Sequence, residues 1–105
     1  MDKIAMLTEI LAMNPKDAFA RYGLAMEYAG RSDFHDAFAQ FALLLEANPD
    51  YVPGYHMYAQ TLVKAGRMDD AVIQLRRGID AALRTDNQHA LGEMSQLLED
   101  IGGTP

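Results

Sequence analysis

His56 is followed four residues later by Gln60, and His89 four residues later by Glu93, so on a helix each imidazole shares a face with a polar side chain one turn on. His56, His89 and Glu93 also have the donor types of a zinc site. Neighbouring helix axes lie about 8–10 Å apart, a gap that two imidazoles span only in favourable rotamers, and solvated histidines satisfy the same sequence. No metal and no cofactor is therefore expected. A partner contact made by either histidine would respond to pH near about 6.5. His35 reads as a first-turn surface residue.

Other reactive constellations are thin. The chain has no cysteine, which excludes disulfides, thiolate metal sites and thiol nucleophiles. There is no glycine-rich phosphate loop after a strand and no His-Glu-x-x-His, and Ser32 and Ser95 show no evident base with an orienting partner. Asp69-Asp70 and Glu99-Asp100 are sequence neighbours and point about 100° apart on a helix, so neither makes an acid and base on one face. The chain is not expected to be an enzyme.

The elements that position these residues follow from a repeat. Thirty-four residues separate Asn14-Pro15 from Asn48-Pro49, and the same step carries Ala25 to Ala59, Asp36-Ala37 to Asp70-Ala71 and Gln40 to Gln74. Such a step marks a helix-turn-helix array whose units bury their apolar faces by stacking. Periodicity predicts about six helices. The first covers Lys3 to Met13 and stops before Asn14-Pro15. The second runs from about Asp17 to Ala29, with Gly30 to end it, and the third from about Asp33 to Ala47. The fourth opens with Pro53 and closes at Gly66. The fifth starts near Met68 and runs through Leu83, longer than its counterpart because no Asn-Pro interrupts it. The sixth covers about Asn87 to Ile101, with Gly92 aligned to Ala59 after loss of one loop residue, and Gly102-Gly103-Thr104-Pro105 is expected to be a frayed tail. Arg76, Arg77 and Arg84 read as a solvated face.

The chain resembles the tetratricopeptide repeat family over roughly residues 3–101. The residues that carry the resemblance are Leu24-Ala25, Tyr28, Ala37, Phe41 and Pro49, then Tyr58-Ala59, Leu62, Gly66, Ala71 and Leu75. Arg21 stands where the family often has tryptophan, Leu83 replaces a terminal proline, and Leu44 and Gly78 fill a position usually alanine. The resemblance implies an all-α superhelix of antiparallel helix hairpins, an α-α solenoid in a single domain. It comprises a half unit near 3–13, full units near 18–49 and 52–84, and a capping helix near 87–101.

The resemblance also implies a protein-binding adaptor or scaffold whose first helices line a concave groove for a partner peptide or protein segment. The groove positions are Phe19, Tyr22 and Met26, then His56, Gln60, Val63 and Lys64, then His89, Glu93 and Leu97. The lysine, asparagine and arginine clamp by which one branch grips a terminal carboxylate is missing, since the matching positions hold Tyr22, Met26, Met57, Asp86 and Ala90. A second reading is a self-associating structural module using Ile4, Leu7, Ile10 and Leu11 of the unpaired first helix. Lys3, at a close-approach position, favours a solvated edge there, so a monomer is expected ahead of a dimer.

Composition fits these readings. The chain has 105 residues, half of them hydrophobic, enough for one compact domain. A formal charge of −6 repels phosphate backbones and argues against nucleic acid as a ligand. No run approaches the ~20 apolar residues of a membrane span and no signal peptide is evident, so cytoplasm is the default compartment.

Overall fold

The computed structural model of the chain describes residues 2–103, which form six α-helices and, among the described residues, no strand. These helices fall into two compact units divided at Asn48-Pro49. The first holds α1 (Lys3–Met13), α2 (Ala18–Gly30) and α3 (Phe34–Ala47); the second holds α4 (Val52–Lys64), α5 (Met68–Arg84) and α6 (Gln88–Asp100).

In the N-terminal unit α2 packs against both α1 and α3. Leu11, Ala20 and Leu24 form a buried cluster against which Ile4, Leu7 and Tyr28 pack. Burial of a leucine side chain contributes about 1.5–3 kcal/mol, so Leu11 and Leu24 hold α1 to α2. Asp2 caps α1 by accepting from the Ile4 N–H at 2.9 Å, and Asp17 caps α2 by accepting from the Ala20 N–H at 2.9 Å. Lys3 is exposed beside Glu27, 3.8 Å away, as expected for a solvated edge.

In the C-terminal unit α5 packs against both α4 and α6, and α4 also touches α6. Gly78 makes that arrangement possible. A Cβ placed there would stand 2.5 Å from Met94 Sδ on α6 and 2.6 Å from Tyr55 Cβ on α4, closer than real Cβ contacts. Tyr55 is 2% exposed and Met94 is fully buried, so the missing methyl is what lets both side chains meet over α5.

The helices end in two ways. At α1 and α3, Asn14 and Asn48 leave the helical region, with ψ values of 86° and 74°, as a following proline disfavours helix there, while their N–H groups still bond to Ile10 O and Leu44 O. The other four helices end in a Schellman turn, with a left-handed residue at Ser32, Gly66, Asp86 or Gly102. After α4, for example, the Gly66 N–H bonds to Val63 O at 2.9 Å and the Arg67 N–H to Leu62 O at 2.8 Å.

This pattern corrects two expectations. Gly30 is the last residue of α2 rather than its terminator; Ser32, at φ 59°, makes the turn. Gly102 and Gly103 are not frayed, because their N–H groups bond to Glu99 O at 3.0 Å and Leu98 O at 2.8 Å. Thr104 and Pro105, the rest of the expected tail, lie outside the described residues.

The fifth helix has 17 residues against 14 in α3, as expected from its missing Asn-Pro. The connection that follows it, Thr85-Asp86-Asn87, is a residue shorter than Asn48-Pro49-Asp50-Tyr51. Arg84 sits on the added turn and is tied rather than merely solvated. Its Nη2 donates to Asp50 Oδ1 at 2.8 Å and to Pro49 O at 3.2 Å, which pins the end of α5 to the start of α4. Arg77 likewise lies over the Tyr55 ring, its guanidinium carbon 5.8 Å from the centroid.

Candidate partner-binding cleft

The C-terminal unit carries an open cleft of about 710 Å³ between α4 and α6. His56 and Gln60 form its α4 wall; His89, Glu93, Gln96 and Asp100 are the principal polar groups of its α6 wall, with Leu97 beside them. Four-residue spacing stacks these side chains in successive turns, and Gly78 brings the two helices close enough to share one space.

Each histidine is engaged with the residue one turn on. The Gln60 amide nitrogen lies 2.9 Å from His56 Nε2, and it donates when that ring nitrogen carries no proton. His89 Nε2 lies 3.0 Å from Glu93 Oε1, and both side chains are well exposed. Asp100 accepts from Gln96 Nε2 at 2.8 Å. The imidazoles thus turn along their own helices rather than toward a common point. Among the described residues no three histidine, aspartate or glutamate side chains are grouped to hold a metal ion.

Of the positions expected to bind a partner, His56, Gln60, His89, Glu93 and Leu97 line this cleft. Val63 is half-buried and Lys64 exposed, and neither belongs to the lining. Gln88, Gly92, Gln96 and Asp100 belong to it although no expectation singled them out. A readable signal existed for the last two, which follow His89 at seven and eleven residues and so continue its face. Gly92 departs from its alignment partners: Ala25 and Ala59 are fully buried at close approaches, whereas Gly92 is exposed with nothing within 4 Å of an added Cβ.

In the N-terminal unit Phe19 is 78% exposed, while Tyr22 and Met26 are half-buried. The four aliphatic residues expected on a self-association surface are divided. Leu11 is buried and Ile4 and Leu7 pack against it, leaving Ile10 to face outward with Met6 and Met13 on the same side of α1.

Short-turn helix pairs repeated along one chain define a helical-repeat protein. The family profile described as tetratricopeptide repeat matches residues 28–97. The fold is similar to the solution structure of a tetratricopeptide repeat domain protein from Salinibacter ruber, with 31% identity and a TM-score of 0.79 over 85% of this chain and 90% of that one. A crystal structure of a tetratricopeptide repeat domain protein from the same organism aligns at 32% identity and a TM-score of 0.74, covering 81% and 94% of the two chains. Comparison with curated proteins gives no significant match. The chain belongs to the tetratricopeptide repeat family, whose fold is that of a protein-interaction module. Among the described residues no helix is long and apolar enough to cross a membrane.

Proposed function

We propose that this chain is a non-catalytic adaptor whose C-terminal unit receives a peptide segment of a partner protein in the cleft between α4 and α6. The carrying observation is the cleft itself, whose polar lining groups are solvent-accessible and only locally bonded, so a ligand can take up their remaining hydrogen-bonding capacity. In the N-terminal unit Tyr22 and Met26 serve as further contacts and Phe19 as an aromatic anchor, since a ring so exposed gains from being covered.

Peptides selected from a random library against the purified chain supply the test. His56→Ala combined with Glu93→Ala is expected to weaken the selected peptides by tenfold or more, while Lys64→Ala, outside the cleft, leaves them unchanged. Full affinity in the double variant would move the binding site elsewhere.

One observation favours a second reading. Met6, Ile10 and Met13 are 47%, 39% and 89% exposed on one side of α1, a stripe that a second copy could cover. Sedimentation equilibrium decides it. A doubled mass that Met6→Glu with Ile10→Glu returns to about one chain would place self-association on α1; a mass near 11.6 kDa throughout would remove this reading.

A further inference from the structure

The cleft between α4 and α6 is chemically one-sided. Its lining includes two carboxylates, Glu93 and Asp100, and no lysine or arginine. The charged side chains of α5, which packs against both walls, do not reach the lining, and Lys64 at the end of α4 lies outside it. The remaining titratable groups are His56, held by Gln60, and His89, held by Glu93. The two carboxylates thus have no lysine or arginine in the lining to offset them, in a chain already at −6.

Each carboxylate keeps room for a ligand. A carboxylate offers about four acceptor sites, and Glu93 shows one partner, His89, as Asp100 shows one, Gln96. Beside them is room for a methylene stem: Gly92 leaves its Cβ space empty and Leu97 supplies apolar surface. The side-chain amides of Gln60, Gln88 and Gln96 can bond to peptide groups on either side.

We propose that this cleft takes a cationic segment of the partner, a lysine or arginine side chain laid over Gly92 and Leu97 with its charged head at Glu93 or Asp100. The proposal rests on the peptide-binding reading and names the chemistry of its ligand. Seven residues separate the two carboxylates on α6, about 10 Å along the axis at 1.5 Å per residue. A ligand in the polyproline II conformation rises about 9 Å over three residues and returns to the same face, so two cations in a Lys-x-x-Lys spacing would meet both acids.

The experiment uses the full 15N-labelled chain at physiological salt and three synthetic peptides of one length, with the Lys-x-x-Lys pair, with glutamate in both places, or with glutamine in both. The lysine peptide is expected to shift the backbone amides of α4 and α6 and to bind at least tenfold more tightly than the glutamate peptide. Glu93→Gln with Asp100→Asn should abolish that preference. Glutamine or glutamate peptides that bind the same amides as tightly as lysine would overturn the cationic ligand and leave the peptide cleft standing. If no peptide moves α4 or α6, both readings fall.

Discussion

Arg21 and Tyr55 stand thirty-four residues apart at one position of the repeat, and the two units use that position differently. Arg21 is half-buried and works through polar bonds: Nη1 donates to Gln40 Oε1 at 2.7 Å and Nη2 to Pro15 O at 3.3 Å. Tyr55 is 2% exposed, and its hydroxyl donates to Pro49 O at 2.7 Å. Pro15 and Pro49 are themselves equivalent by the same step. A guanidinium and a phenol thus tie down the same carbonyl, and only the phenol also fills a core. What the repeat preserves is the tether of the first helix to its preceding turn. Packing around that tether is free to diverge, and in the C-terminal unit it has tightened until Gly78 has no room for a methyl.

The largest test of this contrast removes the two side chains in turn. Tyr55→Ala deletes a buried ring together with its hydrogen bond and is expected to cost about 3–5 kcal/mol of stability. Arg21→Ala removes a partly exposed polar tether and is expected to cost about 1 kcal/mol. Urea denaturation of both variants gives the comparison. Equal losses would mean that the two positions are alike in energy as well as in bonding.

Glycine gives a sharper version, because the two units answer a single methyl with opposite signs. At Gly78 the helix-propensity gain of about 1 kcal/mol for alanine is set against an overpacking cost of about 1–3 kcal/mol. Tyr55 Cβ belongs to a rigid part of its side chain and cannot swing away, so Gly78→Ala is expected to be destabilising. At Gly23 an added Cβ meets Leu7 Cδ2 at 3.4 Å, an ordinary contact. Gly23→Ala is therefore expected to stabilise the N-terminal unit by about 0.5–1 kcal/mol. Thermal unfolding of the two variants should shift in opposite directions. A gain at Gly78 would show that α4 and α6 can separate over α5 without loss.

These differences mark where the sequence stops being legible. The period, the buried alanines at 25, 37, 59 and 71, and the breaks at Asn14-Pro15 and Asn48-Pro49 are local or periodic signals, and they predict the helices to within a residue or two. Gly66 announces its left-handed turn because only glycine adopts that backbone without cost. Ser32 and Asp86 make the same turn, but serine and aspartate are just as common elsewhere, so neither residue type reveals it. The cleft was half legible for a similar reason. His56, Gln60, His89 and Glu93 follow from repeat equivalence, whereas Gly92 depends on which face of α6 remains open, a property of packing that no local pattern encodes.

The smallest test concerns an exposed charge at the edge of the N-terminal unit. The Asp2 carboxyl is held below its ordinary value of 3.8, first by the hydrogen bond from the Ile4 N–H and then by Arg31, whose guanidinium lies 3.0 Å away. A carboxyl depressed in the folded state adds stability at every pH above its unfolded value and loses it as pH falls through the folded one. The cap and the ion pair both need the ionised form. Asp2→Ala should therefore lower stability slightly at neutral pH, and the gap from the parent chain should close as the solution is acidified below about pH 4. Exposure and salt screening keep the effect small, and added salt should narrow the ion-pair share further. A gap that persists unchanged into acid would assign the contribution of Asp2 to something other than its charge.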